Sequence, residues 1–181
     1  MNFAELFSTP QGIAAQCVGF VAMGVAFFIF VFRDRKKILF TKMIADILWV
    51  MHYGLLSAFS GAFINAVNAV REGIFYHKGK PWANHFLWPI GFVLVNLILT
   101  FFSWQGFVSL LPVFGSSINI LGLWCNDPKR IRQISLPAQT LWEIYSILVG
   151  SIPSIIFNAI SICSILFAMA RDFLEKGHEK N

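Results

Sequence analysis

Charge is what this chain is short of. Of its 181 residues, 13% are Asp, Glu, Lys or Arg, against about 25% in an ordinary soluble domain. So few charges cannot cover a water-facing surface, which argues against a soluble domain of this length. Cysteine is scarce as well: Cys17, Cys125 and Cys163 stand in or beside apolar runs, with no C-x-x-C spacing. That excludes a disulfide framework and a thiolate metal site, and three buried free thiols are expected. Catalytic signatures are absent too. There is no G-x-S-x-G, no H-E-x-x-H and no Walker loop, and His77, His85 and His178 do not combine into a ligand set. No enzyme, cofactor or metal is expected. The opening "MNFAELFSTPQG" has an acidic residue and no basic stretch, so no cleavable signal is expected.

What is there is apolar. Hydrophobic residues make up 57% of the chain, 20 of them Phe, and the mean hydropathy is +0.68. A transmembrane helix needs about 20 such residues. Cutting at polar clusters and at Gly/Pro punctuation gives seven candidate spans, at 11–32, 39–57, 61–77, 83–102, 105–125, 134–150 and 153–171. The connections "SAFSG", "SWQG" and "VGSIPS" carry no charge, whereas "RDRKK", "HKGKPW", "NDPKRIR" and the tail "RDFLEKGHEKN" do. An odd number of spans sorts the two sets onto opposite sides. Basic residues stay in the cytoplasm, so the N-terminus is expected outside and the C-terminus inside. The net charge of +5 then reports topology. The expected surroundings are a lipid bilayer and the expected ligand a small-molecule solute, with no nucleic acid; a homo-oligomer is left open. Trp82, Trp88, Trp104 and Trp124 fit an interfacial belt. Trp49 and Trp142 do not, because both fall near mid-span.

Spans one to three lie over spans five to seven at a constant shift of 93. Asp34 meets Asp127, Lys36 meets Lys129, Ile38 meets Ile131 and Ala45 meets Ala138. Leu48 then meets Leu141, Trp49 meets Trp142, Asn65 meets Asn158 and Ala66 meets Ala159. The intervening span puts both halves in one orientation, as in transporters built from parallel repeats. The expected organisation is a first three-helix repeat at 1–81, a linker helix at 82–103, a second repeat at 104–172 and a cytoplasmic tail at 173–181.

At this point the residues resemble a family. The 3+1+3 plan, "SLPAQTLWEIYS" at 135–146 and "SIPSIIFN" at 151–158 resemble the SWEET, SemiSWEET and PQ-loop group. Over the whole length, including "LPVFGSS" and the stretch from His52 to "NAVR", the chain looks most like the bacterial YgjV-type inner membrane proteins. The resemblance implies an all-α, multi-pass inner membrane protein in which a Trp and an Asn of each half line a substrate pocket. It also implies hinge prolines at Pro112 and Pro137, with Gly19 and Ile44 at the matching places of the first half.

The polar residues of 48–72 then acquire expected roles. Residues equidistant from the hairpin turn near 58 and 59 share a depth, at about 1.5 Å per residue. Asp46 is therefore level with Arg71, and a structural ion pair is expected between them, with Glu72 the competing carboxylate. Trp49, Trp142, Asn65 and Asn158 are expected to line a pocket, with His52, Asn68, Tyr145 and Ser161 near it. Indole faces cover apolar C–H faces while amides serve hydroxyls. His52 reads as a neutral hydrogen-bonding ring or as a proton-coupling site. Glu143 has no readable orientation. The expected function is a facilitator of a small neutral polar solute, a sugar or a nucleoside. The rival is a non-transporting receptor on the same scaffold, as in the KDEL receptors.

Overall fold

The structure is a computed structural model that describes residues 5–30, 32, 34–124 and 128–178. Among the described residues the regular structure is helical throughout. The helices are α1 (Glu5–Ser8), α2 (Pro10–Phe27), α3 (Arg35–Leu55), α4 (Phe59–Tyr76), α5 (Leu87–Phe102), α6 (Leu110–Trp124), α7 (Pro128–Val149) and α8 (Ile152–His178). Short 3-10 turns occupy Phe28–Phe30, Pro81–Asn84 and Phe107–Ser109. Pro10–Phe27, Lys36–Leu55 and Ile152–Arg171 are long and apolar enough to cross a membrane, and Leu87–Phe102 and Phe107–Leu121 are shorter apolar helices.

The ends of these helices have local causes. Thr9 caps α2, its hydroxyl accepting from Gly12 N at 3.1 Å, with Pro10 in the first turn, where a missing N–H costs nothing. Asp34 caps α3, accepting from Lys37 N at 2.9 Å. The segment expected from 134 is already helical at Pro128, because Lys and Arg are good helix formers and the backbone need not stop at the lipid boundary. Pro112 stands where the 3-10 turn passes into α6, so it interrupts no regular α-helical ladder there. Pro137 lies inside α7.

Two turns are built alike. At the end of α3, Ala58 N bonds Tyr53 O and Ser57 N bonds Gly54 O; at the end of α7, Ser151 N bonds Ser146 O and Gly150 N bonds Ile147 O. Both are Schellman closures, and the left-handed residue each requires is Ser57 (φ 58°) and Gly150 (φ 73°), 93 positions apart. The packing neighbours are α2 with α3, α3 with α4, α6 with α7 and α7 with α8. Helix α5 touches α4 and α6, while α2–α8 and α4–α6 contacts join the two sets.

The distribution of polarity is the reverse of a soluble protein's. Phe101, Phe102 and Phe107 are 78–83% exposed, while His52, Glu72 and Asn96 are fully buried. An apolar perimeter of this kind is suited to lipid, where unpaired polar groups have no partner. Cys17 and Cys163 are free, but both are exposed on that perimeter and not buried as expected. Small apolar thiols tolerate lipid as well as they tolerate a core. Trp82 and Trp104 are exposed, in keeping with a belt, and Trp88 donates its indole N–H to Trp82 O at 2.8 Å. Cys125 and Asp127 and the side chains of Trp124, Lys129 and Ile131 lie outside the described residues.

Candidate functional site

A cavity of about 100 Å³ lies among α3, α4, α6, α7 and α8. Its walls bring together three pairs of residues 93 apart: Asp46 and Gln139, Trp49 and Trp142, and Asn65 and Asn158. Tyr53 ties the two indoles together, its ring 6.0 Å from Trp49 and 6.2 Å from Trp142. Asn68, Phe157 and Ser154 complete the middle, and Lys42, Arg71 and Asn119 stand at the far end. Lys42 and Tyr53 mark the two ends of the cavity along α3, about 16 Å apart at the helical rise.

Both amides donate from Nδ2 to a group four residues back. Asn65 Nδ2 donates to Gly61 O at 2.8 Å, four residues back. Asn158 Nδ2 lies 3.3 Å from Ser154 Oγ, also four residues back, and 3.2 Å from Ser146 Oγ. Each amide spends its N–H on its own wall and keeps its oxygen as an acceptor. Asn68 Oδ1 takes the Ser116 hydroxyl at 2.8 Å, and Asn96 Nδ2 reaches that hydroxyl at 3.3 Å, which ties α4, α5 and α6 together.

On the turn side of Tyr53 the cavity wall is backed by a hydrogen-bonded layer, and a separate cavity of about 190 Å³ lies beyond it, lined by Ser57, Ala58 and Tyr145 among others. His52 Nδ1 meets Ala15 O at 2.7 Å and Nε2 meets Ser151 Oγ at 2.6 Å. A carbonyl only accepts, so Nδ1 carries the hydrogen, and in the neutral ring Nε2 accepts from the serine. Tyr145 donates to Ala58 O at 3.2 Å and accepts from Gly61 N at 2.8 Å. His52 and Tyr145 are 93 apart, as are Ser151 and Ala58, so each ring reaches into the other half's turn. Both therefore sit behind the cavity wall, not on it. Ser161 also turns away, donating to Phe157 O at 2.8 Å. Gly19 makes room for His52: a Cβ there would stand 2.6 Å from the ring.

The expected Asp46–Arg71 pair is replaced. Arg71 Nη2 bonds Glu72 at 2.9 Å, and Lys42 reaches the same carboxylate from α3 at 3.5 Å. Equal depth says nothing about direction around the helix, and Glu72 takes both cations. Asp46 forms no ion pair among the described residues, and its Oδ2 has no hydrogen-bond partner. Glu143 is half-buried with an unpartnered Oε2 and does not line the cavity.

Sequence reasoning missed Lys42, Tyr53, Asn119, Gln139, Ser154 and Phe157 as cavity residues. The 93-residue shift applied to Asp46 points straight to Gln139. Nothing comparable marks Asn119, whose counterpart is Ala26.

Helices long and apolar enough to cross a bilayer, an apolar perimeter and a polar interior define an all-α membrane protein. A profile of bacterial inner membrane proteins, Imp-YgjV, matches residues 13–176, and the chain belongs to that family. No curated protein and no solved structure matches it.

Proposed function

We propose that the protein is a SWEET-like transporter that carries a small, net-neutral polar solute, with sugars and nucleosides as first candidates, through this cavity. In this reading α2–α4 and α6–α8 are two parallel three-helix repeats joined by α5. The seven helices span the membrane with the N-terminus outside. The carrying observation is that Trp49 and Trp142, Asn65 and Asn158, and Asp46 and Gln139 line one cavity as three 93-spaced pairs. The matched turns at Ser57 and Gly150 support the same symmetry. Trp49, Trp142, Asn65, Asn158 and Asn68 form the solute wall; His52, Tyr145 and Ser161 position it from behind. Tyr53, His52 and Tyr145 stand between this cavity and the one at the turns, so in this reading the solute enters and leaves by the Lys42 end in this state. Of the two expected hinges, Pro137 is the one placed within a regular helix, where its missing N–H loosens the turn before it.

Uptake into proteoliposomes, measured against a panel of labelled solutes, tests the reading. Trp142→Ala should remove most of the uptake without unfolding the protein; uptake that survives in Trp49→Ala and Trp142→Ala alike would move the path elsewhere. The receptor reading has one observation in its favour, the buried Arg71 beside the cavity. Binding with no exchange of labelled solute across the bilayer would select it.

A further inference from the structure

We infer that the solute taken by this cavity is a zwitterion, one small molecule with both an ammonium and a carboxylate. The inference rests on reading the cavity as the solute site and narrows the class of net-neutral solutes. It is carried by two charged side chains of opposite sign on the cavity wall, Asp46 with no ion pair and Arg71 with two of its three nitrogens unbonded among the described residues.

Asp46 is 7% exposed and, among the described residues, has no ion pair and leaves Oδ2 without a hydrogen bond. Arg71 is 2% exposed and lines the same cavity; Nη2 is held by Glu72, while Nε and Nη1 have no acceptor among the described residues. Lys42, the remaining charge on the wall, lies 3.5 Å from Glu72. The four groups, two cations and two carboxylates, sum to zero. A solute of net charge entering this site would leave that charge uncompensated in a low dielectric, at a cost of several kcal/mol. An uncharged polyol would keep the balance but leave Asp46 without a counter-charge, and a buried charged group without a partner is costly. A zwitterion satisfies both conditions.

The rest of the wall suits such a molecule. Asn65 donates to its own helix and Asn158 to the serine hydroxyls of α7 and α8, while both offer carbonyl oxygens, which accept from an ammonium as Asp46 does. The indoles of Trp49 and Trp142 face the same volume and attract a cation through the ring quadrupole. Arg71 and Lys42 take the carboxylate, as charge-assisted donors.

The test uses the full chain in detergent and in proteoliposomes. The probes are L-alanine, γ-aminobutyrate and glycine betaine, with L-alaninamide lacking the carboxylate, L-lactate lacking the ammonium, and the uncharged D-glucose and D-ribose. At least one zwitterion is expected to raise the unfolding temperature. Loss of either charge should weaken binding about tenfold or more, the scale of one charged hydrogen bond. Asp46→Asn should cancel the preference of L-alanine over L-lactate, and Asp46→Glu should restore it. Binding of D-glucose or L-lactate as tight as that of every zwitterion, or no zwitterion bound at all, would overturn the inference while leaving transport standing. Zwitterion binding without uptake would instead retire transport and keep the ligand class.

Discussion

Residue identity matters most where charge is buried. Glu72 is fully buried and holds both Arg71 and Lys42, so Glu72→Gln removes the only counter-ion Arg71 has among the described residues. A loss of about 3–5 kcal/mol is expected, the usual result of stranding one partner of a buried pair. Asp46 has no such bond to lose, so Asp46→Asn should leave the unfolding temperature in detergent unchanged or raised. Equal losses from both substitutions would show that Asp46 shares with Glu72 in neutralising the arginine. Gly61 makes a second test. A Cβ at that position would lie 2.6 Å from the Tyr145 ring, whereas at Gly91 nothing lies within 4 Å. Gly61→Ala should therefore destabilise by about 1–3 kcal/mol through overpacking, and Gly91→Ala should not. The same thermal scan reads both.

At the scale of the element, the two helical hairpins turn on the same hydrogen bonds with different residues. Ser57 pays for a left-handed conformation that glycine adopts freely, roughly 1 kcal/mol. Gly150 already has the permissive residue, and a Cβ there would also press on Leu6 at 2.5 Å. The substitutions should therefore act in opposite directions: Ser57→Gly stabilises, Gly150→Ala destabilises. If both shift the melting temperature the same way, the two turns are not equivalent. The legibility of these turns from sequence was uneven. "VGSIPS" announces its break with Gly and Pro, while "SAFSG" carries no residue that predicts Ser57 at positive φ. The hydrogen-bond pattern, not the local propensity, decides that residue.

At the scale of the whole molecule, the proposed topology puts Ser57 outside and Lys78 inside. In a background with Cys17, Cys125 and Cys163 replaced by Ser, Ser57→Cys should react with a membrane-impermeant maleimide added to spheroplasts. Lys78→Cys should react only after the membrane is opened. Reversed labelling would invert the orientation drawn from the basic loops. Helices α2, α3, α5, α6 and α8 were legible because each holds an apolar run bounded by charge or by Gly and Pro, while α7 starts in the basic stretch before its expected beginning. Their mutual arrangement depends on long-range contacts, such as Gln16 Nε2 to Gly150 O at 3.0 Å and Gln105 Nε2 to Ser57 O at 2.8 Å, which no local pattern encodes.

Composition, hydropathy and spacing alone determined that this chain is helical and lipid-embedded. They also singled out the Trp and Asn pairs that line its cavity, because period and apolarity act along the chain. What the tertiary structure decided is direction around each helix. His52 and Tyr145 have the same kind of sequence signal as Trp49 and Trp142, yet packing turns them into the opposite half's hairpin turn. Asp46 and Arg71 share a depth, yet Glu72 takes the guanidinium and Lys42 closes over it. Depth follows from counting residues, but azimuth is set by which neighbour a side chain meets, and only the packed helices supply that neighbour.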